Sequence, residues 1–294
     1  MTTDKDATKA SVALGMFDGL HLGHIEVIKA AMDIPGLIPS VFTFGGTGAK
    51  FPDSRAPGNI MTTQTKFALL KGMGIKTICA PEFESVNNLS AEEFADEILV
   101  DRMNAAHVSC GWNFRFSKNA AADANDLKRL CAARKIDVTV IPPIIIDGVP
   151  VNSTAIRALI KEGNVIAANK MLGRKLMYEL PVTEGSKLAR KLGAPTINQI
   201  IPDDCVTPKF GVYRSDVSVD VICYSAVTNI GVKPTIGGGV SKPIMETHIP
   251  GFNMEIYGQV VKTELLDFIR PEKKFDSVDE LRKQIRIDIT GACP

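Results

Sequence analysis

Apolar residues recur along the first half of the chain in two alternating patterns. Short continuous apolar runs, such as "SVALGMF" and "IPSVFTF", predict buried strands. Between them, "HIEVIKAAM" and "TTQTKFALLKGMG" have apolar residues at helical spacing, with Ile25, Ile28 and Met32 on one face of the first. Strands that alternate with helices predict a parallel sheet that is covered by helices on both faces.

The same alternation continues to about residue 174. "IKTICA", "AHVSCG" and "IDVTVIPPI" predict three further strands, and "DANDLKRLCAARK" predicts a helix. A capping box formed by Ser90 and Glu93 predicts another helix that runs to about Met103. Two helices, "STAIRALIKEG" and "VIAANKMLG", close this part. We therefore predict a first α/β domain over residues 1–174.

Beyond this point the pattern changes to strands that are separated by glycine and proline turns. "GVYRSDVSVDVICYSAVTNIG", "IMETHI" and "MEIYGQVVKTELLDFI" predict antiparallel strands of a small β-barrel. A second capping box, Ser277 with Glu280, predicts a terminal helix over "VDELRKQIRID". The second predicted domain covers residues 175–294.

Composition narrows the class of protein. A length of 294 residues with 45% hydrophobic residues supports two packed domains. The formal net charge of +1 gives no general field to attract nucleic acid or an anionic membrane. The six cysteines form no CxxC pair and the polar N-terminus lacks an apolar signal stretch. We therefore expect a cytoplasmic protein that has no nucleic-acid or membrane partner.

The stretch "GMFDGLHLGH", residues 15–24, follows the first predicted strand. In parallel α/β sheets this edge is where ligands bind. A metal site, a phosphate site and a simple turn are all open. His21, His24 and Asp18 could supply three zinc ligands, but no matching cluster of Cys or His follows.

Phosphate is the favoured ligand of this stretch. Glycines at 15, 19 and 23 let the backbone approach a ligand closely. His24 falls near a helix start, where free N–H groups favour an anion. Two imidazoles can donate hydrogen bonds to a phosphoryl transition state.

The motif HxGH is the signature of the nucleotidyltransferase superfamily. Its longer form here, G-x-F-D-G-x-H-x-G-H, closely resembles the N-terminal module of bacterial bifunctional riboflavin kinase/FMN adenylyltransferases. The resemblance implies a Rossmann-like nucleotidyltransferase fold for the first domain. It also implies catalytic roles for His21 and His24, and contacts with nucleotide or phosphate for Gly15, Phe17, Asp18 and Gly23.

Two further segments match this module. "GWNFRFS" (111–117) is similar to the family's G-x-x-F-R-F-G, in which Asn113 matches a substrate-binding position. "VNSTAIR" (151–157) is similar to S-S-T-x-x-R, which implies nucleotide or phosphate binding by Ser153, Thr154 and Arg157. On the residues alone, Ser153 or Thr154 caps a helix, and Arg157 either neutralises phosphate or is solvated.

In the second domain, "EGSKLARKLGAPTIN" (184–198) is either a polar turn or a phosphate and metal site. Gly185 and Lys187 can approach phosphates. Thr196 and Asn198 are two residues apart, so on a strand they face the same side. Their hard oxygens suit Mg²⁺, which binds through few protein groups plus phosphate.

This segment resembles the riboflavin kinase motif G-x-x-x-G-R-x-L-G-F-P-T-A-N. The resemblance implies phosphate binding by Gly185 and Lys187, and Mg²⁺ and ATP binding by Thr196 and Asn198. In "METHI", Glu246 looks like the family's catalytic base, while His248 on the same face is interpreted as structural. "FIRPEKKFDSVDELRKQIRID" (268–288) matches the family's C-terminal pattern, which covers the flavin pocket there.

The resemblance implies an enzyme that uses ATP with Mg²⁺ to phosphorylate riboflavin to FMN and then adenylylates FMN to FAD, releasing pyrophosphate. Flavins are then substrates and products. An alternative is a riboflavin kinase with an impaired adenylyltransferase module, because "TFGGTG" (43–48) stands where the family has T-F-D-P-H-P and Ala155 replaces an arginine. A third hypothesis is a flavin- or nucleotide-binding regulator without turnover.

Overall fold

The structure is a computed structural model, and it describes residues 8–45, 58–184, 196–232, 242–273 and 276–292. The chain groups into two compact units, of which the first takes residues 1–56 and 63–152 and the second takes residues 57–62 and 153–294. The two helices that end the predicted first domain therefore group with the second unit. The domain boundary at residue 174 stays a prediction.

The first unit alternates strands and helices as predicted. Its strands are β1 (Ala10–Leu14), β2 (Ile38–Phe42), β3 (Thr77–Cys79), β4 (Ala105–Gly111), β5 (Arg115–Phe116), β6 (Ala122–Asp123), β7 (Asp137–Ile141), β8 (Ile145–Ile146) and β9 (Val149–Pro150). Its helices are α1 (Leu22–Met32), α2 (Thr63–Gly72), α3 (Ala91–Glu93, continued by a π-helix over Phe94–Arg102) and α4 (Ala124–Ala132), with 3₁₀ turns at Phe83–Ser85 and Lys118–Ala120.

Five of these strands form one parallel sheet in the order β3-β2-β1-β4-β7. All five residues of β1 are buried, so both faces of the central strand are covered. The chain turns to one side of β1 for β2 and to the other side for β4. This reversal is the topological switch point at which parallel α/β sheets bind ligands, at the carboxyl ends of the strands.

The helix predicted from Ser90 begins as expected but does not stay α-helical. Its capping box is present: Glu93 N–H donates to Ser90 Oγ (3.1 Å) and Ser90 N–H donates to Glu93 Oε2 (2.7 Å). From Phe94 to Arg102 the chain instead forms a π-helix. The wider turn puts residues four and five apart on one face, where Phe94, Ile98 and Leu99 are buried in the core.

The second unit contains two helices, the antiparallel strands and the terminal helix. They are α5 (Ser153–Glu162), α6 (Val165–Leu172), β10 (Leu176–Pro181), β11 (Thr196–Ile200), β12 (Gly211–Val219), β13 (Ile222–Val232), β14 (Pro243–His248), β15 (Val260–Arg270) and α7 (Val278–Ala292). In the part of the chain that the structure describes, no helix is both long and apolar enough to cross a membrane.

The predicted barrel is confirmed as a curled antiparallel sheet of six strands in the order β10-β15-β12-β13-β14-β11. The two outermost strands approach each other beyond the end of β10, where Thr183 N–H donates to Asn198 O (2.7 Å). The buried amide of Gln199 strengthens this closure, because its Nε2 donates to Leu180 O (2.9 Å) and to Val261 O (2.8 Å). The sheet is therefore a half-barrel that is bridged at one end.

The terminal helix α7 is capped and anchored by side chains. Glu280 N–H donates to Ser277 Oγ (3.2 Å), which confirms Ser277 as the cap. The carboxylate of Glu280 accepts from Asp276 N–H (3.3 Å), one residue earlier than the predicted capping box required. Buried Asp288 of α7 accepts a bidentate pair of hydrogen bonds from Arg270 at the end of β15 (3.0 and 2.6 Å).

Candidate active sites

The loop after β1 makes a sharp turn that two apolar side chains hold in place. Phe17, Gly19 and Leu20 all have positive φ, at 52°, 80° and 39°. Positive φ is unfavourable for residues other than glycine, so the surrounding structure must fix it. The side chains of Phe17 and Leu20 are fully buried and supply that support. The loop therefore presents the start of α1 in a fixed orientation.

His21 and His24 form one compact unit at the start of α1. His21 is the N-cap residue, and its Nδ1 accepts a hydrogen bond from His24 N–H (3.2 Å). The two rings stack at 3.6 Å between centroids with an interplanar angle of 15°. Because Nδ1 of neutral His21 is an acceptor, its proton lies on Nε2. His21 can therefore cap the helix and donate a hydrogen bond at the same time.

Gly15 in the loop and Gly23 in the first turn of α1 both pack closely against rings. A Cβ on Gly23 would lie 3.3 Å from the His21 ring, and one on Gly15 would lie 3.1 Å from the Phe17 ring. Asp18, also predicted to contact nucleotide, is buried. Across the described ranges, no group of three or more His, Cys, Asp and Glu side chains could hold a metal ion.

Lys66 of α2 is a buried cation beside this loop that the sequence analysis missed. Its Nζ donates to Phe44 O (2.9 Å), Thr43 Oγ1 (3.2 Å) and Met16 O (3.3 Å). Burial lowers the pKa of Lys66 to about 8, against a smaller opposite effect of Asp18. The available signal in the sequence was the position of Lys66 four residues before the buried Leu70, on the same helix face.

The segment "TFGGTG" (43–48) differs from the T-F-D-P-H-P pattern, and its first glycine, Gly45, is closely packed. A Cβ on Gly45 would lie 2.8 Å from Ala80 O, a contact that no real side chain tolerates without movement. The backbone after β3 therefore leaves no room for a side chain at position 45 in this conformation. Gly46, Thr47 and Gly48 lie outside the described residues.

Asn113 lies in the turn that follows β4. Phe114 N–H donates to Gly111 O (3.0 Å) and Trp112 N–H donates to Ile141 O (2.9 Å), which fixes the turn against β7. Because β4 is the neighbour of β1, this turn lies at the same edge of the sheet as the His21–His24 loop. The side chain of Asn113 is exposed there. The substrate contact of Asn113 stays a prediction.

The predicted phosphate contacts of "VNSTAIR", which are Ser153, Thr154 and Arg157, group with the second unit, and the cap prediction for this motif needs correction. The helix α5 begins at Ser153, so Ser153 and Thr154 lie in its first turn and the N-cap position falls on Asn152. Arg157 Nε donates to Gly58 O (2.8 Å). The Nε–H of Arg157 therefore anchors the start of α5 to the backbone at Gly58.

Three strands of the half-barrel bring polar side chains into one row. Asn198 of β11 is the register partner of Glu246 of β14, and Glu246 is also the partner of Asn229 of β13. Directly opposite residues in an antiparallel pair share a face, with Cβ atoms about 4.5–5.5 Å apart. A carboxylate thus lies between two amides. Asn229 was not singled out from the sequence, because the row depends on how distant strands pair.

A second row lies two residues away on the same face. It contains Thr196, His248 and Val227, which are register partners across the same three strands. Thr196 and Asn198 therefore share a face, as their spacing predicted. Val227 packs with Val212 and with Ile289 of α7. The face that carries the polar row is consequently the face on which the terminal helix lies.

The amide of Asn198 fits a hard cation. The residue is 5% exposed, and among the described residues no donor reaches its buried Oδ1. A buried acceptor that lacks a hydrogen bond costs about 1–3 kcal/mol, so such atoms usually have another partner. An amide oxygen beside a carboxylate is a donor set that suits Mg²⁺ with phosphate. The expected phosphate contacts Gly185 and Lys187 lie outside the described residues.

Comparisons with known proteins agree over almost the whole chain. The family model for FAD synthetase matches residues 3–155, and the model for riboflavin kinase matches residues 172–293. A bifunctional riboflavin kinase/FMN adenylyltransferase from Bacillus subtilis is 30% identical, over 97% of this chain and 92% of its own length. Its counterpart from Listeria monocytogenes is 31% identical, over 98% and 93%.

A solved structure supports the fold. It is described as a macrolide-efflux protein from Streptococcus pneumoniae, is 30% identical and aligns with a TM-score of 0.85. The alignment covers 98% of this chain and 95% of that protein. Both family models, the full-length relatives and the two predicted motif sets lead to one assignment. The chain belongs to the family of bifunctional riboflavin kinase/FMN adenylyltransferases.

Proposed function

We propose that this protein phosphorylates riboflavin to FMN and adenylylates FMN to FAD, with ATP as the donor in both steps. The observation that carries the first activity is the row of Asn198, Glu246 and Asn229 across three strands. The second activity is supported by the stacked pair of His21 and His24 at the switch point of the parallel sheet. Membership of the bifunctional family supports both together.

In the kinase step, the ribityl 5′-hydroxyl of riboflavin attacks the γ-phosphorus of ATP. A bond forms between this oxygen and phosphorus, the bond to the β-phosphate oxygen breaks, and ADP leaves. Glu246 is the proposed base that accepts the hydroxyl proton. Thr196 and Asn198 are the proposed protein ligands of Mg²⁺, which when bound with ATP neutralises charge on the phosphates.

In the adenylyl step, a phosphate oxygen of FMN attacks the α-phosphorus of ATP and pyrophosphate leaves. The Nε2–H of His21 is a donor that can stabilise the negative charge that develops on the phosphate oxygens, and His24 is proposed to act with it. The protein forms no covalent bond to the adenylyl group. Gly15, Phe17, Asp18, Gly23 and Asn113 are proposed to shape or contact the nucleotide site. Ser153, Thr154 and Arg157 are proposed phosphate contacts.

Cytoplasmic location belongs to the same proposal. Cys79, Cys110, Cys131, Cys205 and Cys223 carry free thiols in the described residues. Free thiols are typical of proteins in a reducing compartment. The net charge of +1 supports small-molecule substrates rather than nucleic acid.

The deciding experiment is chromatographic analysis of the products from riboflavin and Mg-ATP. We expect FMN to appear first and FAD to follow. FMN as the final product, even when FMN is supplied in excess, would identify a kinase with an inactive adenylyltransferase site, as the altered "TFGGTG" segment could produce. Binding of riboflavin without ATP consumption would contradict both enzymatic functions.

A further inference from the structure

We propose that Lys66 is a positioning residue for adenylyl transfer, which ties the loop after β1 to the loop after β2. This inference rests on the proposed function of the His21–His24 site. No motif of the sequence analysis includes Lys66. The side chain reaches from α2 to the carboxyl edge of the sheet, where both loops begin.

The contacts of Lys66 join the two loops directly. Its ammonium binds Met16 O, in the loop that leads to His21, and Phe44 O, in the loop after β2 (3.3 and 2.9 Å). Thr43 bridges the same two groups, because its Oγ1 accepts from Lys66 (3.2 Å) and donates to Met16 O (2.9 Å). Three acceptors around one buried cation make a connection that no neutral side chain of similar length can replace.

Burial of the Lys66 ammonium costs solvation free energy. An ordinary lysine on a helix surface stays hydrated and does not have this cost. Lys66 is 8% exposed, while Lys71 on the same helix is exposed. Removal of an ammonium from water is unfavourable unless hydrogen bonds or charges compensate it. Here the compensation comes from Met16 O in the loop that presents the histidine pair, and from Phe44 O and Thr43 Oγ1 at the end of β2. The charge therefore acts at the adenylyl site rather than in a surface ion pair.

The groups that surround Lys66 set the pKa of its ammonium group. Asp18 in the loop after β1 is the charged side chain that acts on it, and the remaining groups are the three acceptors and the Phe67 ring at 5.7 Å. The lowered pKa makes the amine neutral above about pH 8. A neutral amine binds carbonyl oxygens more weakly. The connection between the loops should therefore weaken over the same range of pH.

The test compares Lys66→Met, Lys66→Arg and the matched control Lys71→Met in the full-length protein. We expect Lys66→Met to lower kcat of FAD formation about 10- to 100-fold, because small displacements of catalytic groups have effects of this size. KM for FMN should change little, and FMN formation should be unchanged. Lys71→Met should resemble the wild type, and Lys66→Arg should keep more activity than Lys66→Met and retain it at higher pH.

Folding is followed by fluorescence of Trp112, the one tryptophan of the chain, which lies in the first unit. If Lys66→Met unfolds this unit, Thr43→Val serves instead and should lower kcat about 3- to 10-fold, since it removes one of the bridging contacts. Full FAD formation by a folded Lys66→Met, an equal loss in Lys71→Met, or a change confined to KM would overturn the proposal. Absence of FAD from the wild type would overturn the proposed adenylyl function itself.

Discussion

Asn198 and Glu246 are register partners on neighbouring antiparallel strands, and their side chains share one face of the half-barrel. The amide oxygen of Asn198 is buried without a hydrogen-bond donor among the described residues. Glu246 is partly exposed on the face where α7 lies. One cross-strand pair thus combines an oxygen suited to a metal ion with a carboxylate suited to proton acceptance.

Glu246→Gln should abolish FMN formation and spare FAD formation from supplied FMN. The amide cannot accept the proton of the ribityl hydroxyl, and loss of a general base typically costs about 10²- to 10⁴-fold in rate. The measurement is kcat for each product by chromatography. Asp220→Asn is the matched control, because Asp220 is exposed at the β12–β13 turn with φ of 53°, which asparagine tolerates. Parallel loss of both activities would argue against separate sites.

Asn198→Ala should raise the Mg²⁺ concentration needed for FMN formation while leaving stability nearly unchanged. The substitution removes a proposed ligand, but it also removes a buried oxygen that costs about 1–3 kcal/mol when no partner is bound. Two measurements are needed: the Mg²⁺ dependence of kcat, and the shift of Tm that Mg-ADP produces in each protein. If the Tm of Asn198→Ala without ligand falls far below that of the wild type, and the Mg²⁺ dependence of kcat is unchanged, then Asn198 has a purely structural role.

Replacement of His21 by asparagine should separate its capping role from its proposed catalytic role. Asparagine is a good N-cap residue, so His21→Asn keeps an acceptor for His24 N–H. The variant lacks the Nε2–H donor and should lose FAD formation about 10²-fold or more. His21→Ala should lose this activity and about 1 kcal/mol of stability as well.

His24→Ala completes the comparison, because it leaves the cap acceptor of His21 in place. It should stop FAD formation and leave the kinase step unchanged. Rates of both steps and thermal unfolding followed at Trp112 check all three variants. Retention of FAD formation in His21→Asn would exclude the imidazole of His21 from the reaction.

Local signals predicted local structure to within about one residue at the helix caps, and the larger misses depend on distant contacts. The capping box of Ser90 and Glu93 follows from four consecutive residues, and it forms as predicted. The π-helix after Phe94 depends on packing against the sheet. Gly58 fits closely against the backbone at Cys205 and Val206, far along the chain, and a Cβ there would lie 2.7 Å from Val206 N.

The proposed site residues divide in the same way. His21, His24 and Glu246 stand in sequence motifs, so the resemblance to the family is enough to predict them. Lys66 looks like an ordinary helix lysine, and its burial follows from where α2 packs. Asn229 joins Glu246 through strand register, which the sequence does not encode locally.

His107 should make the stability of the first unit depend on pH. It lies in the middle of the parallel sheet, where Nδ1 is 2.8 Å from Ser11 Oγ and Nε2 is 2.9 Å from Thr139 Oγ1. Each hydroxyl can donate or accept, so the neutral ring is satisfied on both sides. Burial lowers the pKa of His107, and the charge of Asp137 opposes this effect only in part.

The direction of the effect follows from proton binding. The unfolded chain binds a proton at His107 with a pKa of about 6.5, and the folded chain binds it only at lower pH. The contribution to stability is therefore complete above about pH 6.5 and is lost as the pH falls toward the folded pKa. We expect Tm, followed by Trp112 fluorescence, to fall across this range in the wild type. His107→Gln should flatten that dependence, whereas His248→Gln in the second unit should leave it unchanged. An identical pH dependence in His107→Gln and the wild type would assign the acid sensitivity of the first unit to other groups.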